Sequence, residues 1–87
     1  MPRREVETSD YLSAARRFIR AAGKRVAEAD EPELAELLAL RDVLDDAIAE
    51  AVKGQRSRVS WAGIARATGT SRQAAFKRWG HLEAVAS

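Results

Sequence analysis

Residues 60–80 read SWAGIARATGTSRQAAFKRWG, and this stretch constrains the chain more than any other. Ser60 is a helix-capping residue type set just before an apolar, alanine-rich run, and Gly69 interrupts that run one residue after Thr68. Glycine reaches left-handed backbone space without steric cost, so Gly69 predicts a tight turn between two short helices. Ser71, Arg72 and Gln73 then open the second helix, with Lys77 and Arg78 one turn further on and Gly80 as its stop. The expected helices are Trp61 to Thr68 and 71–79. Ala65 is expected at the crossing, where only a small side chain lets two helices approach closely. Ile64, Thr68, Ala75 and Trp79 are expected to face inward with it. Ser71, Arg72, Gln73, Phe76 and Lys77 are left facing outward.

These outward residue types suit one chemistry. Arginine can grip two guanine acceptors and glutamine can pair in the same way with adenine, both from a helix lying in the major groove. The spacing therefore marks Ser71, Arg72, Gln73, Phe76 and Lys77 as candidate base readers, with Phe76 able to press on a thymine methyl or to pack inside. Arg56, Arg58, Ser60, Arg66, Thr70 and Arg78 are candidate phosphate contacts, as cations or as hydroxyl donors beside a positive helix end. The competing reading is a helical hairpin used for protein contact. Trp61 and Trp79 read first as core, since indole rings supply much of a small interior. His81 reads as a solvated helix-end residue.

Charge supports the nucleic-acid reading. The chain has 87 residues and a net charge of only +2, but residues 1–27 carry +4, residues 28–50 carry −8 and residues 51–87 carry +6. A basic segment that coincides with the two-helix motif is the asymmetry expected of a surface that meets phosphates.

The same stretch resembles the helix-turn-helix segment of small actinobacterial and actinophage DNA-binding proteins. They share a pattern like S-W-x-x-I-x-x-x-x-G-x-[ST]-R-Q-A-A-x-x-R-[WF]-G. Ser60, Trp61, Ile64, Gly69, Ser71 to Ala75 and Arg78 to Gly80 stand at the matching positions. In that family a long alanine- and leucine-rich helix often precedes the motif, as residues 33–53 do here. Thr68 and Thr70 stand where the family usually has leucine and valine, which makes the crossing less apolar. The resemblance implies sequence-specific DNA binding, often in transcriptional control, and a phage or mobile-element origin. Residues 1–29 carry no such likeness.

Upstream, the pattern predicts two long helices. Residues 1–8 lack periodicity and are expected to fray. Thr8 or Ser9 would cap a helix from near Asp10 to Ala27, with Tyr11, Leu12, Ala15, Phe18, Ile19 and Ala22 at three- and four-residue steps. Gly23 lies inside it. Asp30, Pro32 and Glu33 signal a second start, because aspartate caps, proline fits the first turn and a glutamate three residues on can reach back. That helix is expected over 31–53, its face made by Leu34, Leu37, Leu38, Leu44, Ile48 and Val52. The stripe is wider than one neighbour needs, which predicts a second contact with the C-terminal unit or a partner. Arg16, Arg20 and Lys24 form a basic stripe that is expected to lie against the acidic second helix, with a second DNA-backbone contact as the alternative.

The resulting expectation is an all-α single domain: a helical hairpin over 9–53, a hinge over 54–59, a helix-turn-helix over 60–80 and a tail over 81–87 in which Leu82 and Val85 add an apolar turn. The expected function is sequence-specific binding of double-stranded DNA, as a homodimer through the long helices, in transcriptional regulation. A protein-interaction module (an antitoxin or a phage factor that binds a host protein) and a non-specific nucleoid-type binder are the alternatives. No enzyme is expected: no catalytic serine–histidine–aspartate set or phosphate-cradling glycine loop is present, and Asp45 and Asp46 are adjacent and point to different helix faces. The sequence has no cysteine and one histidine, so no cofactor or metal site is expected. The N-terminal residues have charge with no apolar stretch behind them, unlike a signal peptide, and a cytoplasmic location is expected.

Overall fold

The computed structural model describes residues 2–82, with side chains described from Glu7 onward. It is all-helical, with no strand among the described residues: α1 spans Pro2–Val26, α2 Glu31–Gln55, α3 Trp61–Thr68 and α4 Arg72–Trp79. The chain divides into two compact units, Met1–Arg41 and Asp42–Ser87, with the division falling inside α2.

In the first unit, α1 begins at Pro2 and not near Asp10. Thr8 and Ser9 lie within the helix, so neither caps it. Proline suits a first helical turn, and Arg3, Arg4, Glu5 and Glu7 have good helix propensity. An apolar stripe is needed for a helix to pack, not for it to form, so its lack over residues 2–8 does not prevent one. The helix runs through Gly23 without a break, and a methyl group there would meet nothing within 4 Å.

The link to α2 is hydrogen-bonded residue by residue. Glu28 N–H donates to the Arg25 carbonyl at 3.1 Å and Ala29 N–H to the Val26 carbonyl at 2.9 Å. Asp30 N–H then donates to Glu33 Oε1 at 3.1 Å, the reach-back expected of an aspartate followed three residues later by glutamate. The expected burial between α1 and α2 is absent. Leu12 and Ile19 on α1 are exposed, as are Leu34 and Leu38 on α2, and no described residue of this unit is buried. Arg16, Arg20 and Lys24 are likewise exposed.

The second unit holds the core. Val52, Trp61, Ile64, Ala65, Ala75 and Trp79 are buried together, with Ile48, Ala49, Val59 and Leu82 packed at the margin. Ile48 and Val52, which periodicity grouped with the leucines of α2, therefore belong to the α3–α4 packing. Val85 lies outside the described residues.

The segment expected to be a hinge is built. Helix α2 runs through Gly54 to Gln55, two residues past the expected end at 53. The Gly54 carbonyl, one of the last of α2, accepts from Ser57 Oγ at 3.3 Å and faces Arg58 Nη1 at 3.4 Å. Arg58 N–H and Val59 N–H both donate to the Gln55 carbonyl, at 2.9 and 2.8 Å. Residues 56–59 form a bonded turn that delivers the chain to Ser60.

Candidate nucleic-acid interface

Two serines and one glycine position the pair α3 and α4. Ser60 is the N-cap of α3, its Oγ accepting from Gly63 N–H at 3.1 Å. Ser71 caps α4 in the same way, accepting from Ala74 N–H at 3.1 Å. Between them Gly69 sits at φ 68°, ψ 32°, the left-handed region, and is the one described residue with positive φ. Its N–H and that of Thr70 both turn back to the Ala65 carbonyl, the latter at 3.0 Å. The turn thus satisfies the Ala65 carbonyl near the end of α3.

Small residues bring the helices together. Ala75 is 0% and Ala65 4% exposed, and Ile64, at 2%, fills the space beside them. Trp61 and Trp79 close the core at either side. At the end of α4, a methyl on Gly80 would stand 2.5 Å from the Phe76 carbonyl oxygen and against the Phe76 ring, so that position admits no side chain without a shift. Thr68, expected inward, is exposed: its hydroxyl donates back to the Ile64 carbonyl at 2.8 Å, which satisfies it on the helix surface and removes any need for an interior site.

The first turns of α4 face outward. Ser71, Arg72, Gln73, Phe76 and Lys77 are all exposed, and Ser71, Arg72, Gln73 and Phe76 line a shallow groove. Phe76 is 54% exposed and sets its ring edge-on to Trp61, with centroids 5.5 Å apart and planes at 84°. One side of the ring is thereby anchored and the other is open. Ser71 Oγ is engaged as an acceptor, which leaves its proton as the available donor.

The six phosphate candidates separate into groups. Arg66 and Thr70 are exposed. Ser60, like Ser71, spends its oxygen on the cap. Arg58 is exposed beside the Gly54 carbonyl. Arg78 is exposed but lies over the Trp79 ring at 5.1 Å, with Nη2 3.8 Å from Asp45 Oδ1. An ion pair this long and this exposed contributes about 0–1 kcal/mol, too little to hold the side chain back from a phosphate. Arg56 differs. It is partly buried, stacks over the Trp61 ring at 4.5 Å and donates from Nη1 to the Val59 carbonyl at 2.7 Å. Its work is structural, tying the turn to the core, and the sequence offered no sign of this because Arg56 and Trp61 lie five residues apart across a turn.

No family model, curated protein or solved structure matches the chain. Among the described residues, no group of histidine, cysteine, aspartate or glutamate could hold a metal ion, and no helix is long and apolar enough to cross a membrane.

Proposed function

We propose that the protein is a sequence-specific binder of double-stranded DNA, with α4 as the recognition helix of a helix-turn-helix and transcriptional regulation as its role. The observation that carries this reading is the exposed set Arg72, Gln73 and Lys77 on a helix held in the core by Ala75 and Trp79. Arg72 and Gln73 have the donor patterns that separate guanine and adenine from the other bases in the major groove. Phe76, anchored on Trp61, offers an apolar edge to a thymine methyl. Arg58, Arg66, Thr70 and Arg78 supply backbone contacts that set the register without reading sequence.

Two measurements test this reading. Affinity for random duplex, titrated against salt, should fall steeply, because counterions displaced from the phosphates gain less entropy in a saltier solution. Selection from a random DNA pool should enrich a short motif. A nucleoid-type binder would show the salt slope without enrichment. A protein-contact module would show neither.

A further inference from the structure

Phe76 is 54% exposed, and among the described residues after Leu44 it is the one large apolar side chain left open to water. The rest of that unit covers its apolar residues: Trp61, Ile64 and Trp79 are buried, and Val59 and Leu82 pack at the margin. A single exposed apolar side chain is ordinary on a protein surface. Phe76 differs in being held in place.

Two contacts fix the ring. It stands edge-on to Trp61, with centroids 5.5 Å apart and planes at 84°. It also lies against Gly80, where a methyl group would stand 3.2 Å from Phe76 Cδ2 and Cε2. Gly80 has φ −60° and ψ −30°, ordinary right-handed helical values that any residue adopts, so its dihedrals do not call for glycine. What glycine supplies there is room for Phe76. The ring is thus placed before any ligand arrives, and ordering it adds little to the cost of binding.

The neighbouring side chains indicate what the ring meets. Phe76 follows Gln73 by three residues and Arg72 by four, so the three share one flank of α4, and with Ser71 they line one shallow groove. A duplex touched by Arg72 and Gln73 therefore brings a base edge to Phe76. A phenyl ring has no hydrogen-bonding group, so a polar base edge pressed on it loses water and gains no partner. The apolar group on the major-groove edge of the common bases is the methyl at C5 of thymine, and 5-methylcytosine carries the same group.

We propose that Phe76 makes the protein a reader of pyrimidine methyl groups. Its ligand is duplex DNA with a 5-methylpyrimidine, either thymine or 5-methylcytosine, under the ring, and cytosine or uracil there is bound more weakly. Trp61 and Gly80 are positioning residues for that contact. This inference rests on α4 lying in the major groove, and it adds that a methyl group decides one position of the site.

The test uses the full-length chain and a duplex selected from a random pool. Each thymine of that duplex is replaced in turn by uracil, which removes the methyl and keeps every hydrogen-bonding group. At one thymine the replacement should weaken wild-type binding about fourfold, the worth of one buried methyl-sized group. Phe76→Ala, with helix content checked by circular dichroism, should bind the thymine and uracil duplexes alike. At the same position, a pair of 5-methylcytosine with guanine should bind wild type about fourfold more tightly than a pair of cytosine with guanine. A thymine duplex that binds more tightly than the 5-methylcytosine duplex marks thymine as the source of the methyl, and the reverse order marks methylated cytosine; both support the proposal. A wild-type chain that prefers the selected duplex yet tolerates uracil at every thymine overturns the proposal and leaves the DNA reading standing, and this comparison needs no variant. So does a lack of any gain from methylating cytosine. So does a folded Phe76→Ala chain that stays as sensitive to the methyl as wild type. A wild-type chain that prefers no duplex overturns the proposal together with the reading beneath it.

Discussion

The two units spend their apolar residues in opposite ways. Residues 42–82 contain all six buried side chains, arranged around two alanines at a helix crossing. Residues 7–41 contain nine large apolar side chains, from Tyr11 to Leu40, and none is buried. The difference lies in helix length and termination. Helices α3 and α4 have 8 residues each and end at glycines, so the chain folds back before an apolar face can run on. Helices α1 and α2 have 25 residues each, about 37 Å of continuous rod, and the apolar residues of α1 and of α2 up to Arg41 are not buried within their unit. A short pair of helices completes its core with only the end of α2, through Val52, whereas α1 and the first part of α2 bury nothing within their unit.

The sharpest way to break this comparison is to truncate one residue of each kind. Trp79→Ala removes a 7%-exposed indole and should cost about 3–5 kcal/mol in urea unfolding, enough to threaten a domain this small. Leu12→Ala should cost under about 1 kcal/mol. Equal costs at high dilution would show that the α1 stripe is already covered within one chain.

The turn comes next in size. Gly69→Ala places a β-carbon in left-handed backbone and should destabilise α3–α4 by about 1–2 kcal/mol, read as a lower melting temperature. No loss would show that this turn is free to relax. Ser60→Ala and Ser71→Ala should each cost about 1 kcal/mol through loss of a cap, and Ser60→Gly much less. Smallest and opposite in sign, Gly23→Ala should raise stability by up to about 1 kcal/mol in dilute solution, because its helix is continuous and a methyl meets nothing.

How much of this was legible depends on the range of the interaction concerned. Ser60, Gly69 and Ser71 act on backbone within four residues, and their types alone disclosed α3 to the residue and α4 to within one, Ser71 being its cap and not its first residue. Ala65, Ala75 and Trp79 were readable because short helices leave few choices of inward face. Arg56 was not, since its stacking on Trp61 depends on a turn bonded through Gln55 and Gly54, and no periodicity encodes that. The start of α1 at Pro2 was not legible from periodicity, because residues 2–8 have no amphipathic pattern and rely on proline and good helix formers instead. For α2, periodicity correctly marked an overlong stripe but could not apportion it. Ile48 and Val52 went to the α3–α4 core, and Leu34, Leu38 and Leu44 were left exposed.

The central claim is that the exposed start of α4 reads base sequence. The most direct measurement compares the affinities of the wild type, Arg72→Ala and Gln73→Ala for a selected duplex and for a scrambled duplex at one fixed salt concentration. The account predicts that each variant loses about 1–3 kcal/mol on the selected duplex while its binding to the scrambled one changes little. Equal losses on both duplexes, or no preference by the wild type, would contradict it.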